Sequence, residues 1–227
     1  LPSRDSFLAD AQELGELISP APYQPTVLRG FLEPSGESEG AWSLGAFLGM
    51  GGFGTVFADE AEPHCVIKLS DPPLLHSERA KLVKLNRGGD PGLRVPTVLG
   101  ALYGAPTDAG AERPLVALKM APRGISLRTA LAALEPDVDV LNGLVRALGL
   151  SVLTTLQTAH RKSVAHRDVR LPNVLIVAES DVMVGVLEAG GDFARERAAL
   201  RRLSLPECSF LLNDWGSATL LTGEKRD

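Results

Sequence analysis

The sequence lacks the features of several protein classes. Its two cysteines, Cys65 and Cys208, cannot form a disulfide framework. Its four histidines are scattered and lack the spacing of a zinc site. No apolar run approaches the roughly 20 residues of a membrane-spanning helix. The net charge of −5 does not favour nucleic acid as the main partner. We therefore expect a soluble intracellular protein with reduced thiols, no membrane span and no nucleic-acid partner.

The sequence does contain enough apolar residues for a substantial core. Hydrophobic residues make up 44% of its 227 positions, a length that suits one large or two small domains. Near the start, residues 5–18 have helical spacing of apolar side chains, and prolines follow them. A polar stretch at 33–40 is typical of a linker. We therefore predict that residues 1–40 form an extension to the main domain.

Residues 42–57 predict a strand, a glycine-rich turn and a second strand. The centre of this segment is Gly49-Met50-Gly51-Gly52-Phe53-Gly54-Thr55-Val56. Glycines allow backbone N–H groups to approach phosphate oxygens without a clash from Cβ. A plain glycine hairpin is the alternative. A dinucleotide-binding fold would continue as a helix here, whereas Thr55-Val56-Phe57 favours a strand.

A lysine and a glutamate follow in apolar surroundings. Lys68 lies in the short run Val66-Ile67-Lys68-Leu69, either as a functional cation or as an edge-strand lysine that reaches solvent. Residues 74–85 have helical spacing, and Glu78 shares the inward face with apolar side chains, namely Leu75, Leu82 and Leu85. A glutamate on that face needs a cation unless it is solvated.

Two further segments carry polar groups next to buried strands. Residues 166–173 predict a loop with a carboxylate at Asp168 and a carboxamide at Asn173, followed by an apolar strand at 174–177. One such group can orient a hydroxyl and the other can help to hold a metal, which suits phosphoryl transfer. Residues 208–216 predict a strand that ends in Asp214-Trp215-Gly216; a simple strand-ending turn is the alternative.

The remaining segments predict strands at 94–103 and 114–120 and two helices. Ser126 can cap a short helix to about Leu134, and Asp137 can cap a longer one to about Arg161. The long helix has a clear period of 3.6 residues in its apolar side chains.

Taken in order, these segments resemble the protein kinases. The glycine turn fits G-x-G-x-x-G-x-V, the lysine strand is similar to V-A-I-K, residues 166–173 fit H-R-D-x-x-x-x-N, and Asp-Trp-Gly resembles D-F-G. The resemblance covers about residues 42–220. It implies an α+β bilobal fold with a β-rich first lobe at 41–121 and a helical, truncated second lobe at 122–227, which carries an insert at about 178–207. The sequences around Asp168 and Asp214 also resemble those of crinkler-type effector kinases of oomycetes and fungi.

The resemblance implies ATP and Mg²⁺ as cofactors and assigns three groups of residues. The catalytic residues would be Asp168 as the group that orients the acceptor hydroxyl, Lys68 on the phosphates, Glu78 as the partner of Lys68, and Arg170 in place of a lysine. The nucleotide would be bound by Gly49, Gly51, Gly52, Gly54, Val56, Val66, Lys68, the backbone of Lys119 and Ala121, and Leu175. The metal ligands would be Asn173 and Asp214.

Two functions remain open from the sequence. The first is an ATP-dependent phosphotransferase that acts on protein Ser/Thr or, as a second choice, on a small molecule. The second is a pseudokinase or regulatory module that binds nucleotide or a partner without turnover. Few residues follow Asp214 and no A-P-E motif is present, so the chain is expected to be a fragment, a compact variant or a binding module. Arg167 could pair with a phosphate on Thr219 or Thr222.

Overall fold

The computed structural model describes residues 26–32, 38–106, 108, 111–134, 138–177, 198 and 208–221. The helix predicted at 5–18 and nearly all of the insert predicted at 178–207 lie outside the described residues, as does Thr222. Within the described part, a β-rich lobe is followed by a smaller, mostly helical one.

The first lobe is a closed barrel of six antiparallel strands in the order β1-β2-β3-β4-β6-β5. Its strands are β1 (Thr26–Phe31), β2 (Glu39–Gly51), β3 (Gly54–Asp59), β4 (Val66–Leu69), β5 (Thr97–Tyr103) and β6 (Leu115–Ala121). The first and fifth strands close the barrel where Phe31 pairs with Tyr103. A small core fills it, made of Trp42, Leu44, Ile67, Leu102 and Ala117. The barrel places the glycine turn and Lys68 on neighbouring strands.

The start of the barrel differs from the boundary expected near residue 41. Strand β1 pairs with β2 from Thr26 opposite Leu44 to Phe31 opposite Glu39. Residues 26–31 therefore belong to the sheet rather than to an extension. The strand is hard to recognise in the sequence because it is short, follows prolines and contains Arg29 and Gly30.

One helix, α1 (Pro72–Asn86), packs on the barrel. Prolines suit its first turn because the N–H groups there have no partner within the helix. Its inward face is buried along Leu75, Glu78, Lys81, Leu82 and Leu85. The predicted helix at 74–85 is confirmed, and it extends slightly at both ends.

The described part of the second lobe has two α-helices and several short strands. They are β7 (Ile125–Ser126), α2 (Leu127–Leu134), α3 (Val138–Arg161), β8 (Val164–Ala165), β9 (Val174–Val177), β10 (Ser209–Leu212) and β11 (Thr219–Leu220). The cap predicted for α2 is confirmed, since the backbone N–H of Thr129 donates to Ser126 Oγ at 3.1 Å. The cap predicted at Asp137 lies outside the described residues.

The strands of the second lobe bring two distant segments together. Strand β9 lies between β10 and β7, and β11 pairs with β8. Residues 213–216 therefore begin beside the end of residues 166–173. A continuous core joins α1, β5, β6, α3 and the Trp215 side chain. The predicted fold class, with a β-rich first lobe and a helical second one, is confirmed. Among the described helices, none has the length and apolar character needed to cross a bilayer.

Candidate active site

Lys68 lies at the centre of the site. It is on β4, an interior strand, and pairs with Val56 on one side and Leu118 on the other. Its Nζ atom lies 2.7 Å from Glu78 Oε2 and 3.3 Å from Asp214 Oδ1. Only 7% of the Lys68 side chain and 3% of the Glu78 side chain are exposed. The alternative of an edge-strand lysine in solvent therefore does not apply.

This cluster carries an excess of negative charge. One ammonium is shared between two carboxylates, so a net charge of minus one remains when all three groups are ionised. Burial raises the pKa of Glu78; Lys68 and, more weakly, Lys81 oppose this shift, and the negative charge of Asp214 adds to it. A further cation near Asp214 would relieve the repulsion between the two carboxylates.

The carboxylate of Asp168 is held by two neighbours. Asn173 Nδ2 donates to the backbone oxygen of Asp168 and to its Oδ2 atom, both at 2.9 Å. Arg170 Nε also donates to Asp168 Oδ2, at 3.0 Å. Both hydrogen bonds from Asn173 use its amide nitrogen, so the Oδ1 atom is the one suited to a metal. The Arg170 side chain is 59% exposed, which puts Asp168 at the mouth of the site.

The Asp168 loop is tied to the residue that precedes Asp214. His166 Nδ1 accepts from the backbone N–H of Asp168 at 3.2 Å, so His166 Nε2 carries the proton that bonds Asn213 O at 2.8 Å. The backbone N–H of Asn213 donates to Asn173 O at 2.8 Å. Burial lowers the pKa of His166. The two polar segments are therefore fixed to each other by backbone and imidazole contacts.

The Asp214-Trp215-Gly216 turn has an unusual backbone. Asp214 adopts a left-handed conformation, with φ 59° and ψ 67°. Such a conformation costs a non-glycine residue about 1–3 kcal/mol and persists where its surroundings hold it. Trp215 is completely buried, its Nε1–H donates to Leu212 O at 2.9 Å, and its ring lies 4.5 Å from that of His166. A tryptophan thus fits here without an unpaired indole N–H.

Of the four predicted nucleotide-binding glycines around the turn between β2 and β3, the packing of the protein requires some and not others. Gly54 has φ +121°, and a Cβ there would overlap the carbonyl oxygen of Leu69. Gly49, Gly51 and Gly52 have no described atom within 4 Å of an added Cβ and no positive φ. The protein's own packing therefore requires glycine at Gly54 but not at the other three positions.

The tip of this turn lies over the Asp214 turn. A Cβ at Gly216 would lie 2.9 Å from the ring of Phe53, so the two loops are in close contact. The glycine turn therefore covers the same space in which Lys68 and Asp214 meet.

Lys119 does not fit its predicted contact with adenine. It lies in the middle of the sheet, opposite Ile67 of β4 on one side and Gly100 of β5 on the other. Its backbone therefore belongs to the strand ladder. Its position on β6, next to that of Leu118, also puts its side chain on the face opposite to Lys68.

The other residues predicted for the nucleotide are placed as follows. Val56 and Val66 are on β3 and β4, with Val56 opposite Lys68 and Val66 opposite Met120. Ala121 ends β6, opposite Thr97. Leu175 is half-buried on β9, opposite Ser126 and Leu211. Val56 and Val66 are thus on the strands that carry the glycine turn and Lys68, whereas Leu175 belongs to the second lobe.

A second charged cluster lies between β3 and β4. One ligand atom each of Glu62, His64 and Cys65 lies within 4.8 Å of the others, close enough for a metal ion. Lys119 Nζ already supplies positive charge there, at 2.9 Å from Glu62 Oε1 and 2.5 Å from Asp59 Oδ2. Burial raises the pKa of Cys65 to about 11, which keeps the thiol protonated. The arrangement is thus accounted for by the lysine.

Sequence reasoning missed one residue of the site, Lys81. Its Nζ donates to Gly216 O at 3.0 Å and to Trp215 O at 3.4 Å. The available signal was its position three residues after Glu78, on the same inward face of a helix.

Comparison with known proteins supports the fold. No family model and no curated protein match the sequence. The solved structure of vaccinia related kinase 3 is similar, with a TM-score of 0.52 and 20% sequence identity, over 90% of this chain and 54% of that one. This chain thus spans about half the length of that structure. At this identity the similarity shows the fold alone, and this chain has a protein-kinase-like fold.

Proposed function

We propose that this protein binds Mg²⁺ and ATP between its lobes and transfers the γ-phosphoryl group to a hydroxyl, in the first place of protein Ser/Thr. The observation that carries the proposal is the convergence on Lys68. Two carboxylates from distant segments, Glu78 and Asp214, both lie within 3.3 Å of its ammonium.

The proposed metal ligands are Asp214 and Asn173. Mg²⁺ prefers oxygen ligands and usually takes one or two from the protein, with phosphate and water completing the set. The carboxylate of Asp214 and the Oδ1 atom of Asn173 fit that preference. The excess negative charge around Lys68 also favours a cation. When bound, the metal would neutralise charge on the phosphates.

The proposed phosphate site combines Lys68 with the glycine turn. Lys68 is held by Glu78, so its position is fixed before nucleotide arrives. An added Cβ at Gly49, Gly51 or Gly52 would meet no described atom within 4 Å, so the protein's own packing does not explain why these residues are glycines. Phosphate oxygens that approach the backbone N–H groups would explain why side chains are missing there.

The proposed acceptor site lies at Asp168. Its carboxylate would accept the proton of the attacking hydroxyl, and its contact with Asn173 would keep it close to a metal held by Asn173. Arg170 can neutralise charge on the transferring group because its guanidinium can hold two oxygens. The finer resemblance to crinkler-type effector kinases remains a prediction from the sequence.

Nucleotide binding without turnover is the second candidate. The observation that favours it is the double contact of the Asp168 carboxylate with Asn173 and Arg170. Both contacts are to Oδ2, so an acceptor hydroxyl would compete with Arg170 for that oxygen.

Transfer of labelled phosphate from Mg-ATP to the protein itself or to a basic acceptor protein tests the proposal. Asp168→Asn should lower the rate by roughly 10²–10⁴-fold while Mg-ATP still binds, because a general base is lost and the metal site is kept. Asp90→Asn is the matched control, since Asp90 pairs with Lys162 away from the site. Equal transfer by the two variants would refute the role of Asp168. Binding by the wild type without any transfer would favour the second candidate.

A further inference from the structure

Besides Lys68 of β4, a second cation contacts the Asp214 turn, namely Lys81 of helix α1. Lys81 lies on the same face as Glu78, and its ammonium donates to the carbonyl oxygens of Trp215 and Gly216. Only 7% of Lys81 is exposed. A lysine on a helix normally keeps its ammonium in water, so a buried one needs partners that compensate for the lost hydration. The two carbonyl oxygens are these partners.

These contacts hold the backbone on the C-terminal side of Asp214, the residue in the left-handed conformation. Before Asp214, both backbone groups of Asn213 are fixed, by Asn173 O and by His166 Nε2. After Asp214, the carbonyl groups of the next two residues point to Lys81. A left-handed aspartate persists only where its surroundings hold it. Lys81 is thus a side-chain cation that holds the backbone immediately after Asp214.

The charges around Lys81 agree with this position. Burial lowers its pKa, the negative charge of Glu78 on the same helix opposes the shift, and the positive charge of Arg167 from the facing loop adds to it. The carbonyl oxygens of Trp215 and Gly216 stabilise the charged form of Lys81 by accepting its hydrogen bonds.

We propose that Lys81 is a positioning residue, which holds the backbone after Asp214 and so orients Asp214 for the metal. Glu78 acts on the Asp214 side chain through Lys68, and Lys81 acts on the backbone that follows. The proposal rests on the proposed function in one respect, namely that Asp214 is a metal ligand.

The test compares Lys81→Met with Lys84→Met. Methionine keeps most of the length of the side chain and removes its charge, and Lys84 is an exposed lysine on the same helix. Loss of a charge-assisted hydrogen bond corresponds to roughly a ten- to hundredfold change in the equilibrium that depends on it. Lys81→Met should weaken Mg-ATP binding by that factor and change binding of ATP without metal by less than about threefold. Lys84→Met should bind both as the wild type does.

Amide hydrogen exchange at residues 213–218 is a second readout that needs no nucleotide. In Lys81→Met these amides should exchange faster, whereas those of β5 should not change. Should Lys81→Met fail to fold, Lys81→Gln takes its place, since it keeps a donor without the charge and should show a smaller effect of the same pattern.

The outcomes separate this proposal from the proposed function. Absence of Mg-ATP binding in the wild type would overturn the proposed function, and the exchange rates would still decide the contact of Lys81 with the turn. Unchanged exchange at 213–218, or acceleration that is equal in β5, would overturn the positioning role. A parallel loss of binding with and without metal would also overturn it.

Discussion

Removal of the Lys68 ammonium should destabilise the protein strongly. The Lys68 and Glu78 side chains are almost fully buried and their charged atoms lie 2.7 Å apart. Breaking a buried ion pair by removing one partner costs about 3–5 kcal/mol because the other charge stays buried and unpaired. Lys68→Met leaves two carboxylates, Glu78 and Asp214, so we expect a loss of about 4–5 kcal/mol at pH 7. That is a large part of the 5–15 kcal/mol that typically holds a domain folded.

The Glu78→Gln variant should lose much less. Glutamine keeps an oxygen that accepts a hydrogen bond from Lys68, and the lysine keeps Asp214 as its ionic partner. We expect a loss of about 1–2 kcal/mol. The pair of variants therefore distinguishes an unpaired buried charge from a lost hydrogen bond.

The cost of Lys68→Met should also depend on pH. Burial raises the pKa of Glu78 in the folded protein above its ordinary value. A carboxyl with a raised folded pKa binds more protons when folded, so its contribution to stability is lost as pH rises through that pKa. Without Lys68 this pKa rises further, and the destabilisation should be smaller at pH 5 than at pH 7.

Urea unfolding of the single and double variants measures these effects. The cycle should give a coupling energy of about 2–3 kcal/mol at pH 7. Asp90→Asn, which breaks a partly exposed ion pair away from the site, should change the midpoint far less than Lys68→Met and is the control. Loss of less than about 1 kcal/mol in Lys68→Met, or a cost that rises towards pH 5, would refute the reasoning.

Further predictions concern the glycine turn, His166, and the contact between Arg167 and Thr219. Gly54→Ala should lower the free energy of unfolding by more than about 2 kcal/mol, because its positive φ and a neighbouring carbonyl oxygen exclude Cβ. Gly52→Ala should leave stability within about 0.5 kcal/mol in urea titration but weaken ATP binding; equal stability losses in the two variants would contradict this. The pKa of His166 is lowered by burial, so its contribution to stability is present above about pH 6.5 and is lost as pH falls through the lowered folded pKa. His166→Phe should flatten the dependence of the urea midpoint on pH in that range, and an unchanged slope would count against it. Arg167 Nη1 donates to Thr219 Oγ1 at 2.9 Å, so mass spectrometry after incubation with Mg-ATP should find phosphate on Thr219 if this pair is regulatory; no modification after Gly216 would contradict the prediction.

Several elements could be predicted because their sequences carry a clear local pattern. The period of α1 places Glu78 on a buried face, and a buried glutamate needs a cation, which indicates a lysine nearby. Ser126 is a good N-cap and does cap α2. The strand-and-turn patterns around Asp168 and Asp214 also depend on short stretches of sequence. These features can be recognised in the sequence because they do not depend on contacts between distant residues.

Other features depend on tertiary contacts that local patterns do not contain. Strand β1 is identified by its pairing with β2 and β5, since its own alternation is weak. Lys119 was assigned to adenine from its position along the chain, but β6 lies between β4 and β5, so the backbone of Lys119 belongs to the sheet. In the sequence, Lys81 is one of two lysines on α1, and only its contacts with Trp215 and Gly216 distinguish it from Lys84. In each case the partner lies far away in sequence.

Calorimetric titration of ATP with and without Mg²⁺ tests the central claim most directly, namely that Lys68 and Asp214 meet around a magnesium-bound nucleotide. The wild type should bind one ATP, and Mg²⁺ should strengthen that binding. Asp214→Asn should still bind ATP, but Mg²⁺ should no longer add to its affinity, because the carboxylate that holds the metal is gone. Full enhancement by Mg²⁺ in Asp214→Asn, or no binding of ATP by the wild type, would contradict the account.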